Sequence, residues 1–112
     1  MDNFEKENLA QYIKIFGAEK MKGLWKEFLE SAQEGFLKIG KTNVSESVRL
    51  IYHNLHSSSL VFGMKGFSDM CGKIEKAIMQ GQKIEKLEKE IQNSKMVYEK
   101  EVQKVDEYLM KR

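Results

Sequence analysis

Proline is absent from this 112-residue chain, and cysteine and tryptophan occur once each. Without proline, no position forbids a helix from continuing. The lone Cys71 rules out an internal disulfide framework and leaves neither a Cys-x-x-Cys pair nor a Cys/His cluster of the zinc type, which suits a reducing compartment. Long apolar runs are missing too: stretches such as Leu60-Val61-Phe62 fall far short of the roughly 20 residues that span a bilayer. The opening Met1-Asp2-Asn3-Phe4-Glu5-Lys6-Glu7 is polar and acidic where a signal peptide would be basic and then apolar. The expectation is a cytoplasmic protein that does not engage the membrane. Nor does one sign of charge dominate. The 19 basic and 17 acidic residues are interspersed, as in Glu85-Lys86-Leu87-Glu88-Lys89-Glu90, so no basic face marks a nucleic-acid binder.

What the chain does have is helix. Lysine, glutamate, leucine and methionine are abundant, β-branched runs are few, and the length fits one domain over residues 1–112 with a single core. Met21, Leu24, Trp25, Phe28, Ala32, Phe36 and Ile39 recur at three- and four-residue intervals, which predicts an amphipathic helix from Ala18 to Ile39 bounded by Gly17 and Gly40. Asn43 and Glu46 have capping-box spacing and predict a new helix from Val44, its core face reading Val44, Val48, Ile51, Leu55, Ser59 and Phe62. After Gly63 and Gly66, a shorter stripe runs through Phe67, Met70, Cys71, Ile74, Ala77 and Ile78 to Gly81. A last helix carries Ile84, Leu87, Ile91, Tyr98, Val102, Val105 and Leu109, with Lys95 on the same face, and a short first helix covers Glu7 to Phe16. The expected fold is all-α: an antiparallel up-and-down four-helix bundle with a short N-terminal accessory helix. A polar outer surface points to a monomer.

At about 100° per residue, His53 lies about 180° from Val44 and so faces water. Glu46, Arg49, His56, Ser57 and Leu60 fall on the same outer face, within two turns of it. An outward imidazole beside a small residue and an apolar one describes a docking surface around a reactive group. Metal binding is not expected, because both histidines are read as pointing outward and the chain has no Glu-x-x-His pair of the kind that dimetal helical proteins aim inward. Cys71, on a core stripe, reads as an inert small hydrophobe.

The run His53-Asn54-Leu55-His56-Ser57-Ser58-Ser59-Leu60-Val61-Phe62-Gly63, followed by Phe67, Cys71, Ile74 and Glu75, resembles the signature of histidine-containing phosphotransfer (HPt) domains. That signature runs His-x-Leu-Lys-Gly-Ser-x-x-x-x-Gly and continues to a cysteine and an Ile-Glu. This chain carries His56 in place of the lysine and Ser57 in place of the glycine. The resemblance spans the chain, since that family also folds as a four-helix bundle. It implies that His53 accepts a phosphoryl group from the phosphoaspartate of one receiver domain and passes it to another. The partners implied are receiver domains of response regulators and of a hybrid sensor histidine kinase. Arg49 is expected to supply a permanent cation one turn from His53, and Leu60, with Ser57 leaving room, to form part of the receiver-docking surface. The chain is expected to need no cofactor of its own, with Mg²⁺ held in the receiver's acidic pocket, and to lack intrinsic kinase activity. Two other readings stand beside this one: a helical adaptor that binds receiver or kinase domains without being phosphorylated, and a fragment of a chemotaxis-type histidine kinase.

Overall fold

The computed structural model describes residues 2–112; Met1, part of the domain expected over 1–112, lies outside the described residues. The described chain forms five α-helices: α1 (Lys6–Phe16), α2 (Ala18–Lys41), α3 (Ser45–Val61), α4 (Lys65–Met79) and α5 (Glu88–Leu109), the last preceded by a 3₁₀ turn over Ile84–Leu87. The fold is all-helical. Among the described residues, no helix is long and apolar enough to cross a membrane.

The helices share one core. Met21, Trp25, Phe28, Ala32 and Ile39 of α2 bury the expected stripe, with Leu24 turned further outward. On α3 the buried face is Val48, Tyr52, Leu55 and Ser59, so the stripe is rotated from the one expected. Val44 is exposed and Ile51 half-buried, while Tyr52 sits wholly inside, where its hydroxyl meets the Ser94 Oγ of α5 at 3.0 Å. Burial pushes the Tyr52 phenol well above its ordinary pKa, so it stays a neutral hydrogen-bonding group. Trp25 donates its indole N–H to Asp106 Oδ1 at 2.6 Å, which ties α2 to α5 through a polar contact at the edge of the core. Phe28, Phe36, Phe67 and Tyr98 form a chain of ring contacts with centroids 5.1–6.3 Å apart. Lys95, expected as a break in the α5 stripe, lays its ammonium 5.8 Å from the Phe36 ring, so its stem covers apolar surface while its charge stays outside.

Several boundaries differ from expectation: Gly66, read with Gly63 as part of a turn, is buried inside the first turn of α4, and Ile84–Leu87, read as the start of the last helix, forms the 3₁₀ turn before it. Gly40 does not end α2, which runs one residue further, to Lys41. Asn43 does not cap α3; the helix starts at Ser45 without a side-chain cap, the Thr42 hydroxyl accepts from the Val44 N–H at 3.1 Å, and Glu46 turns to Arg49 instead. An arginine one turn away competes for the glutamate more strongly than an exposed backbone N–H does.

The pairing of α3 with α4 is the most extensive in the molecule and carries the site described below. Gly63 makes the turn between them at φ +75°, a conformation that disfavours any residue with a Cβ, and the backbone carbonyl of Glu5 lies where that Cβ would be. The segment before α1 is therefore fastened to this turn. The Glu5 N–H donates to the Gly63 carbonyl (2.8 Å), and the Asn3 carbonyl accepts from the Lys65 and Gly66 N–H groups (2.9 and 3.2 Å). Glu101 of α5 completes the fastening from inside. Its carboxylate is wholly buried, with Oε2 accepting from the Asn3 N–H at 2.6 Å and Oε1 from the Phe67 N–H at 3.0 Å, in the first turn of α4.

Candidate functional site

His53 sits in the middle of α3 with its side chain 54% exposed, as the period of the helix required. Its Nδ1 lies 2.8 Å from Oε2 of Glu75, which reaches across from α4 and is itself only 14% exposed. An ionised carboxylate can only accept, so against it Nδ1 carries the proton, and in the neutral ring the lone pair resides on Nε2. The arrangement selects one tautomer and leaves Nε2 as the nitrogen available to an electrophile. Glu75 also stabilises any positive charge the ring takes on when Nε2 forms a new bond.

Arg49 converges on the same carboxylate, its Nη1 3.4 Å from Oε2 of Glu75. Its main partner, though, is Glu46: Nε and Nη2 grip the two Glu46 oxygens at 2.7 and 2.8 Å, a two-pronged pair. The pairing holds the Glu46 carboxyl below its usual range and raises the Arg49 guanidinium above its own, in both cases chiefly through these hydrogen bonds. The four side chains form one relay across the surface of α3 and α4: Glu46, Arg49, Glu75, His53.

The other expected residues separate into two groups. Ser57 is exposed one turn after His53, its Oγ 3.4 Å from the His53 carbonyl, and leaves the space beside the imidazole open. Leu60, two turns after His53, is 36% exposed and continues the same face. His56 departs from expectation. Read as outward, it is half-buried against α4, where its Nδ1 meets the Ser68 carbonyl at 2.7 Å. A carbonyl only accepts, so this Nδ1 donates, and the Ser68 hydroxyl locks the pair by donating to the His56 carbonyl at 2.8 Å. Gly72 makes room for the ring: a Cβ there would stand 3.1 Å from the imidazole Cε1 and Nδ1. His56 therefore braces α3 against α4 rather than joining the four-residue relay.

Glu75 has no role assigned by the sequence pattern, although the pattern ends on it. The signal for finding it is there: it follows Ile74, one of the buried positions of α4, and so sits at the margin of the core stripe where α4 borders α3. Cys71 is fully buried, and burial pushes its thiol far above the reactive range, in keeping with a packing role. Among the described residues, no three His, Cys, Asp or Glu side chains converge as metal ligands would. Comparison of the chain with known protein families, with characterised proteins and with solved structures finds no match.

Proposed function

We propose that this protein is a histidine phosphotransfer protein in which His53 carries a phosphoryl group between receiver-domain aspartates. The observation that carries this reading is the Glu75 carboxylate on His53 Nδ1, which leaves Nε2 as the nucleophilic nitrogen of an imidazole that is 54% exposed. The likeness of the run from His53 to Gly63, continued to Glu75, to the HPt signature supports it independently of that geometry. In this reading α2 to α5 make up the antiparallel four-helix bundle of that family and α1 is its accessory helix.

In the proposed reaction the Nε2 lone pair attacks the phosphorus of a receiver aspartyl phosphate. The new N–P bond forms as the P–O bond to the aspartyl carboxyl breaks, and that electron pair leaves on the aspartate oxygen. The ring then carries a formal positive charge opposite Glu75, with Nδ1 keeping its proton. The same steps reversed pass the group to a second aspartate. Phosphoryl transfer through a loose transition state asks chiefly for in-line placement and charge neutralisation. Glu75 places the ring, Ser57 leaves space for the incoming aspartyl phosphate, and Leu60 offers the partner an apolar contact. Mg²⁺ belongs to the receiver.

The test is transfer from phosphorylated receiver domains, with Mg²⁺, to the wild type and to His53→Gln, scored as acid-labile phosphate on each chain. The expected result is label on the wild type and none on the variant, with both helical by circular dichroism. A folded wild type that takes no label from any receiver favours the adaptor reading instead.

A further inference from the structure

We infer that Glu46 sets how long a phosphoryl group survives on His53, by holding the Arg49 guanidinium away from it. The inference rests on the phosphotransfer reading above and assigns a regulating role to a residue outside the transfer step. Its basis is the geometry of the relay. Arg49 lies one turn before His53 on α3 and Glu46 almost one turn earlier again, so all three share one face. The guanidinium spends its Nε and Nη2 on Glu46 and points Nη1 at the carboxylate oxygen that already holds His53. The one permanent cation of the four is thus claimed by two carboxylates. With a neutral imidazole, the group carries one negative charge in excess, the wrong sign for a phosphoryl dianion to settle against.

Loss of the phosphoryl group to water forms a P–O bond as the P–Nε2 bond breaks, and the electron pair returns to the ring. In a loose transition state the equatorial oxygens lose negative charge to the departing nitrogen. A cation bound to those oxygens therefore stabilises the starting phosphohistidine more than the transition state, and slows hydrolysis. Arg49 can bring its Nε and Nη2 to that position only by letting go of Glu46. Exposed ion pairs exchange partners easily, so the restraint is modest and adjustable. Glu46 is a positioning residue: it acts through Arg49 and touches neither the ring nor the phosphoryl group.

The experiment labels the full chain with phosphoramidate, from which His53 Nε2 takes the phosphoryl group and releases ammonia, so that no partner protein enters the measurement. Wild type, Glu46→Gln, Arg49→Ala and the double variant are compared for the half-life of acid-labile phosphate and for the ³¹P chemical shift of the phosphohistidine. Glu46→Gln is expected to lengthen the half-life by about threefold to tenfold, Arg49→Ala to shorten it by a similar factor, and the double variant to behave as Arg49→Ala. The ³¹P resonance is expected to move in Glu46→Gln and to return towards the Arg49→Ala position in the double variant, a signature that a change in packing would not reproduce. Equal half-lives in all four labelled proteins overturn the inference and leave the phosphotransfer reading standing. So does a Glu46→Gln effect that persists without Arg49. Absence of label on His53 from phosphoramidate and from phosphorylated receivers alike removes the reading and the inference together.

Discussion

Glu75 and Glu101 each collect two partners beside α4, yet one carboxylate lies near the surface between an imidazole and a guanidinium, and the other lies wholly buried between two backbone amides. The difference lies in what each partner can do. The partners of Glu75 are side chains that bear or acquire positive charge, so its negative charge acts on a neighbouring ring that is open to solvent. The partners of Glu101 are fixed N–H groups, one from the strap before α1 and one from the first turn of α4, where the helix dipole favours an anion. Burial nevertheless raises the Glu101 pKa, and its amide partners oppose that rise without overcoming it. One glutamate holds an exposed imidazole and a guanidinium, and the other joins three segments of backbone.

The largest expected effect falls on the buried member. Glu101→Ala leaves the Asn3 and Phe67 amides without their acceptor and is expected to lower unfolding free energy by about 2–4 kcal/mol, while phosphoryl transfer by the folded protein stays near wild type. Urea denaturation paired with single-turnover transfer measures both; a transfer defect as large as the stability defect would erase the distinction drawn above. Glu75→Ala is expected to show the reverse pattern. Freed from its acceptor, Nδ1 competes with Nε2 for the proton, and transfer falls by about tenfold to a hundredfold with little change in denaturation midpoint. Equal rates for the variant and the wild type would show that the tautomer needs no fixing.

The smallest effect is one of pH. Because the folded state raises the Glu101 pKa, it binds that proton more tightly than the unfolded chain does. Below the ordinary carboxylate pKa of about 4.3 both states are protonated and the group has no net effect. As pH rises from there through the folded pKa, stability falls. Asp2 and Glu46 work in the opposite sense, their lowered values giving stability that is lost on acidification. The Glu101→Gln variant lacks the first contribution and keeps the others, so the difference in Tm between it and wild type is expected to shift against wild type as pH rises from 4 to 7. A difference that is flat with pH would mean that the buried carboxylate titrates as an ordinary one.

How much of this was legible in the sequence depended on range. The helices were, because three- and four-residue spacing is a local signal and the absence of proline left it unbroken; the outward placement of His53 followed from the same period. The exact face of α3 was not. A tyrosine at 52 reads as amphipathic, and only the Ser94 hydroxyl, 42 residues away, gives its phenol a partner inside the core. Glu101 was invisible for the same reason: counting apolar residues passes over a buried carboxylate, and its partners come from 34 and 98 residues away. Glu75 stood in the HPt-like pattern as a position without a chemistry, because a helical wheel for α3 holds no information about what α4 presents to it. His56 failed in that way too, lying on the flank of α3 that the wheel reads as solvent and α4 occupies.

That last contact carries a consequence for how such a chain can change over generations. Gly72 and His56 divide one volume between them, since a methyl group at 72 would press on the imidazole at 3.1 Å. A substitution at either position alters what the other tolerates: the ring at 56 must give by a few tenths of an ångström to admit a methyl group at 72, while a slimmer or more flexible side chain at 56 relaxes that crowding. In descendants of this sequence the two positions are expected to drift as a pair, with Gly72 varying more readily where His56 has been replaced.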